Sequence, residues 1–326
     1  MESLYLLYGQ ETYLLEDFVK KIKKTFDKLI EGINFIKIDE TNVNQLISNI
    51  ETPSFGFDKK LIIVKDTGLF KKEGKKKNNT LASLVDRISD YIKDNAEIVK
   101  QDNIIVFIES EADKNKLYKT IEEYGKVVNF EPEKLPVLIK RIKAISSAYN
   151  VQITDYDAQY LVECCGTNLQ DIINELRKLI EYTGSGEKIT KESIDLLVTK
   201  QIDSVIFDLT DNLGKKDIKK AMEVFYNLIY QKEPVQKILI TLYNHFKKLY
   251  LVKVALRNNE NIAECLKLKP NQTFLVNKYK TQSGYFNDLE LRKILSELCD
   301  LDYNYKIGLI DLNIGIESIL CRYCGK

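Results

Sequence analysis

Ser3-Leu4-Tyr5-Leu6-Leu7-Tyr8-Gly9-Gln10-Glu11-Thr12-Tyr13-Leu14-Leu15-Glu16 reads as strand, turn and helix in immediate succession. Residues 3–8 are a short apolar run, Gly9-Gln10-Glu11 turns the chain, and Leu14, Leu15, Phe18, Ile22 and Phe26 then recur at helical spacing. Asn34 to Asp39 is the next strand, and Val43 to Ile50 is helical with Leu46, Ile47 and Ile50 as its apolar stripe. A third strand, Leu61 to Lys65, follows the loop Thr52-Pro53-Ser54-Phe55-Gly56-Phe57-Asp58-Lys59-Lys60. Thr80 is placed as the N-cap of a helix whose face is Leu81, Leu84, Val85, Ile88, Tyr91 and Ile92. Ile104 to Ile108 is a fourth strand, Leu117, Ile121 and Tyr124 mark a short helix, and Lys126 to Phe130 is a fifth strand. Strands and helices that alternate in this way predict a parallel sheet covered on both faces. Such sheets hold ligands at the carboxyl ends of their strands, which directs attention to residues 9–12 and 53–59.

Glu131-Pro132-Glu133-Lys134-Leu135-Pro136 reads as a linker, and everything beyond it is helical in pattern. Leu138, Ile139, Ile142 and Ile145 share one helix face. Thr154 with Asp157 starts the next helix, which ends at Gly166; Asn168 and Thr190 cap two more. A second helical unit begins near residue 201. Its helices include one carrying Val224, Phe225, Leu228 and Ile229 and a long one from Pro234 through Val252, with further ones near 272–280, 287–305 and 311–322. The domains expected are therefore an α/β domain over 1–133, a small helical domain over 134–200 and an all-α domain over 201–326.

The 326 residues carry 49 basic and 48 acidic side chains, a net charge of +1, without the basic excess of a dedicated nucleic-acid binder. No apolar run approaches the ~20 residues of a membrane helix, and Met1-Glu2-Ser3-Leu4 lacks the basic start of a signal peptide. Six cysteines in a chain this long are not a disulfide framework. A cytoplasmic protein with reduced thiols is the economical reading.

Catalytic constellations are missing. The first strand–turn–helix stands where a P-loop would, but Gly9-Gln10-Glu11-Thr12-Tyr13 has no second glycine, no lysine and no magnesium-binding hydroxyl. Phe107-Ile108-Glu109-Ser110-Glu111 is similar in outline to an acidic Walker B strand, which means little without the P-loop. The single histidine, His245, falls in a helical run and reads as a plain helix-face residue. Cys321-Arg322-Tyr323-Cys324 is a lone pair, short of the four ligands of structural zinc. No cofactor or metal is expected. Lys71, Lys72, Lys75, Lys76 and Lys77 form a charged loop that reads either as a solvated surface or as a phosphate contact. In Ser54-Phe55-Gly56-Phe57, two rings flank a glycine in what should be a solvated connection. They either fold back under the sheet or present an apolar plug to a partner.

Taken in order, the P-loop-like unit without a P-loop, the small four-helix domain and the helical C-terminal domain resemble the δ subunit family of the bacterial DNA polymerase III clamp loader, which is AAA+-like. The opening Tyr5-Leu6-Leu7-Tyr8-Gly9-Gln10-Glu11-Thr12-Tyr13-Leu14-Leu15-Glu16 is similar to that family's start. Gly166-Thr167-Asn168-Leu169 with Asn174-Glu175-Leu176 and Lys178-Leu179, and then Leu301-Asp302-Tyr303 with Lys306 and Gly308, resemble its later signatures. The resemblance implies a P-loop NTPase/AAA+-like first domain, a lid-like second domain and a collar-forming third. It implies binding to the β sliding clamp, and opening of that ring for loading onto primed DNA, beside γ/τ- and δ′-type subunits. It implies no catalytic site in this chain, although the holoenzyme it serves is a DNA-directed DNA polymerase, a nucleotidyltransferase. The family's hydrophobic tip lies just before a buried strand, here at Ser54-Phe55-Gly56-Phe57, and either Phe55 or Phe57 is its leading ring. A degenerate AAA+ ATPase using Gly9 to Tyr13, and a direct DNA-binding protein using the lysine loop, are the competing readings.

Overall fold

The computed structural model describes residues 2–71 and 79–324. The chain divides into two compact units that meet between Pro132 and Glu133.

The first unit contains β1 (Leu4–Tyr8), α1 (Thr12–Lys23), β2 (Phe35–Ile38), α2 (Leu46–Glu51), β3 (Lys60–Lys65), α3 (Asn79–Asp94), α4 (Ala96–Asp102), β4 (Asn103–Glu109), α5 (Lys116–Tyr124) and β5 (Lys126–Asn129). The strands form one sheet in the order β2-β3-β4-β1-β5, parallel throughout. Side chains alternate across it, as period-two geometry requires. Leu4, Leu6, Ile62, Val64, Ile105 and Phe107 pack under residues of α2, α3 and α5. Tyr5, Leu7, Leu61, Ile63, Val106 and Ile108 pack under Leu15, Val19 and Ile22 of α1. Both faces are therefore dry, which is why these strands read as unbroken apolar runs.

One local expectation is corrected, and one helix stands outside the expected set. Helix α3 begins at Asn79, so Thr80 sits inside its first turn rather than at the N-cap. Helix α4 follows at once, and its sequence, Ala-Glu-Ile-Val-Lys-Gln-Asp, buries only Val99 and so shows little helical periodicity.

The second unit is helical: α6 (Leu135–Ala148), α7 (Asp155–Cys165), α8 (Leu169–Thr183), α9 (Lys191–Leu197), α10 (Ile202–Gly214), α11 (Ile218–Tyr230), α12 (Val235–Asn258), α13 (Ile262–Cys265), α14 (Leu275–Ser283), α15 (Asp288–Lys306) and α16 (Leu312–Cys324). Two short strands, β6 (Gln152–Ile153) and β7 (Lys188–Ile189), pair in parallel near its start. The N-caps expected at Thr154, Asn168 and Thr190 are present; each accepts from a backbone N–H three residues on. Phe225, Leu242, Phe246, Leu298 and Ile316 lie at the centre of the α10–α16 core. His245 faces inward and is buried. Its Nε2 lies 2.7 Å from Oε1 of Gln282, whose Nε2 donates to the Phe207 carbonyl at 2.9 Å and to Asp211 at 2.7 Å. No described helix is long and apolar enough to cross a membrane.

Candidate functional site

The two places marked by the sequence lie at opposite edges of the sheet. Residues 9–12 follow β1 and so sit at the carboxyl edge. Residues 53–59 precede β3 and so sit at the amino edge, which the switch-point rule does not cover.

At the carboxyl edge two backbone donors of the turn are already committed. Gly9 N–H donates to the Glu109 carbonyl at 3.3 Å and Glu11 N–H to the Phe130 carbonyl at 2.9 Å. Gly9 has φ +128°, and a Cβ there would fall 2.2 Å from the Phe130 carbonyl oxygen, so the turn is closed against the exit of β5. Glu109, the residue at the Walker B position, is buried. Its Oε1 accepts from Thr67 N–H and Thr67 Oγ1, both at 2.9 Å, and from Gly68 N–H at 3.2 Å. Burial pushes its carboxyl above the usual range, against the pull of those three donors. Glu109 therefore anchors the loop that leaves β3.

At the amino edge the chain builds a tight turn. Phe57 N–H donates to the Ser54 carbonyl at 3.3 Å, and Ser54 Oγ donates to the Phe57 carbonyl. The two central residues, Phe55 and Gly56, have φ +41° and +86°, the sign a type I′ turn needs at both positions. Gly56 meets this at no steric cost; Phe55 does not, and left-handed non-glycine residues concentrate where function demands a fixed geometry. The Phe55 ring is 69% exposed at the crown of the turn. Phe57, at the foot, is half-buried. A cavity of about 590 Å³ opens beside it, lined by Phe26, Lys28, Asn34, Phe57, Lys59 and Ile104 among others.

The turn stands on a row of buried polar side chains at the strand starts. Asn34, just before β2, accepts from Ile30 N–H at 2.7 Å and donates to the Lys28 carbonyl at 2.8 Å. Lys60 and Asn103, which open β3 and β4 and are register partners, are also buried. None of the three was singled out from the sequence, because a lysine or asparagine at a strand start carries no periodic signal of burial.

Of the lysine loop, Lys71 is exposed, while Lys72, Lys75, Lys76 and Lys77 lie outside the described residues. Cys321 is exposed and Cys324 buried; among the described residues no group of His, Cys, Asp or Glu side chains could hold a metal ion.

A P-loop-like parallel α/β domain with a closed first turn, an apolar turn at the opposite sheet edge and a helical second unit together give the chain an AAA+-like fold. The family model described as "DNA polymerase III, delta subunit" matches residues 5–131, and that for the "DNA polymerase III delta subunit, C-terminal domain" matches residues 203–323. The chain belongs to the DNA polymerase III delta subunit family. It is 26% identical to DNA polymerase III subunit delta of Bacillus subtilis, over 99% of this chain and 93% of the relative. It is 24% identical to the probable DNA polymerase III subunit delta of Aquifex aeolicus, over 95% and 88%. The solved structure of the Bacillus subtilis DNA clamp loader delta protein superposes with a TM-score of 0.72 at 24% identity, covering 100% of this chain and 96% of that one.

Proposed function

We propose that this chain binds the ring-shaped β sliding clamp through Ser54-Phe55-Gly56-Phe57 and favours the opened ring during loading onto primed DNA. The single observation that carries this is Phe55, an aromatic ring 69% exposed at the crown of a turn with positive φ. A phenylalanine buries up to about 150–250 Å² when its ring enters a pocket. At about 25 cal/mol/Å² that is roughly 4–6 kcal/mol before ordering costs. Such a contact shifts a clamp towards the open ring only if the tip binds that conformer better than the closed one. Phe55 is the leading ring, because Phe57 already has partial cover from its own domain.

The chain makes and breaks no bond in this reading. The committed N–H groups of Gly9 and Glu11 support that assignment over the degenerate ATPase, and nucleotide-driven control resides in partner γ/τ-type subunits. The working division is a clamp-binding domain (1–133), a lid-like domain (134–200) and a collar domain (201–326), which joins γ/τ- and δ′-type subunits in the cytoplasm. In the last of these, Tyr226, Tyr230 and Ile314 are 50%, 88% and 62% exposed, apolar side chains available to a neighbouring subunit.

The test is clamp affinity of the full chain by surface plasmon resonance. Phe55→Ala together with Phe57→Ala should abolish binding while the far-ultraviolet circular dichroism is retained. Unchanged affinity in a folded double variant would remove the tip assignment.

A further inference from the structure

The loop that carries the tip leaves α2 through a helix end whose carbonyls are taken by side chains of the sheet. Lys60 Nζ donates to the carbonyls of Asn49 and Thr52, and Asn103 Nδ2 donates to the Ile50 carbonyl at 3.3 Å. Lys60 is 2% exposed, and among the described residues no carboxylate lies within ion-pair distance of it. The negative end of α2 supplies the compensating potential instead. Burial pushes the Lys60 pKa down, with Asp102 opposing. An aliphatic residue at this β3 position would fill the core without the cost of desolvating a charge. What only the lysine provides is a clasp. Its backbone ends the loop, and its ammonium holds Thr52, where the loop begins.

From the Thr52 carbonyl to Phe55 the path is short and stiff. Thr52 is extended (φ −67°, ψ 131°), Pro53 has its φ fixed by its ring, and Ser54 is tied to Phe57 across the turn. A shift at Thr52 is therefore carried into the turn rather than absorbed before it. On the other side, Lys59 Nζ donates to the Lys100 carbonyl at the end of α4, at 3.1 Å. We propose that Lys60 is a positioning residue: its ammonium closes the base of the 52–60 loop and fixes the direction in which Phe55 is presented to the clamp. This rests on the reading of residues 54–57 as the clamp contact.

The test is Lys60→Met, which keeps the stem and removes the donor. Amide hydrogen exchange follows Thr52, whose N–H donates to Ser48 at 3.1 Å, and Phe57, whose N–H donates to Ser54. Exchange at both should rise at least tenfold while Ile62 and Val64 in β3 keep their protection. Clamp affinity should fall at least tenfold, and Lys60→Met added to Phe55→Ala should cost no more than a further twofold. Unchanged exchange at Thr52 and Phe57 overturns the clasp. Affinity losses that simply multiply in the double variant overturn an action through Phe55. If Lys60→Met does not fold, Lys60→Leu, which also lacks the donor, is measured in the same way. If neither folds while Asn103→Ala does, Lys60 serves the whole domain and the proposal fails. Should Phe55→Ala with Phe57→Ala leave clamp affinity intact, the clamp reading is what has failed, and the exchange arm alone decides whether Lys60 holds the loop.

Discussion

The N–H of Phe57 donates to the carbonyl of Ser54 at 3.3 Å, so the two rings of the tip occupy unequal places, Phe55 at the crown and Phe57 at the foot. Unequal places imply unequal losses. Phe55→Ala should weaken clamp binding by roughly 30-fold or more, about 2 kcal/mol, the scale of an aromatic hot spot. It should leave the urea midpoint of the free chain unchanged. Phe57→Ala should cost less affinity but lower the midpoint, because its ring already packs on its own domain. Alanine scanning by plasmon resonance alongside urea titration separates the two.

Gly9 and Gly56 both have positive φ, yet substitution should affect them differently. At Gly56 an added Cβ meets nothing within 4 Å, so Gly56→Ala should cost only the conformational penalty, about 1–2 kcal/mol. At Gly9 the Cβ would also strike the Phe130 carbonyl oxygen. Gly9→Ala should therefore destabilise by clearly more, about 3 kcal/mol or above, since backbone cannot step aside as a flexible side chain can. That loss should be the same with and without ATP and magnesium. A loss that ATP rescues would revive the nucleotide reading.

His245 is held neutral by burial, its pKa lowered from 6.5 to about 4. The unfolded chain therefore binds the proton first as the medium is acidified. Stability contributed by this site is complete above pH 6.5, declines between 6.5 and about 4, and levels below that. The decline should be on the order of 3 kcal/mol, at about 1.4 kcal/mol per pH unit. Comparing wild-type and His245→Leu urea midpoints across that range isolates it, because only the wild type should show this component.

Glu109 carries the opposite sign. Burial raises its folded pKa above the ordinary 4.5, so its neutral form is favoured in the native chain. Its contribution is fully present below pH 4.5 and is lost as pH rises through the folded value. Glu109→Gln keeps an acceptor for Thr67 and Gly68 without the charge. Its stability advantage over wild type should grow from near zero at pH 4 towards neutrality, as read by thermal melts. A constant difference across that range would mean that the charge is not what burial penalises.

The strands of the first unit were legible because burial on both faces leaves only apolar residues between turn signals: Leu61 to Val64 and Ile104 to Ile108 admit no other reading. The caps Thr154, Asn168 and Thr190 were legible because short polar side chains bond backbone three residues away, a local event. Thr80 was misplaced because a cap is defined by where the helix starts, and Asn79 already belongs to it. At the tip, the paired phenylalanines and the glycine were visible. Their separation into an exposed and a half-covered ring was not, since that follows from a turn hydrogen bond and the neighbouring 25–34 segment. Lys60 was hidden for a related reason. Its burial depends on the end of a helix that only the folded sheet brings to it.

The tip and the closed nucleotide-like turn lie at opposite ends of parallel strands, and a strand of six residues spans about 20 Å. In the proposed contact, a load taken up at Phe55 is passed to β3, which begins five residues on at Lys60. Hydrogen bonds to β2 and β4 then resist in shear, all together, instead of peeling one after another. Under the proposed clamp contact the sheet acts as a stiff strut: a pull at the tip reaches the far end of β3 with little stretch.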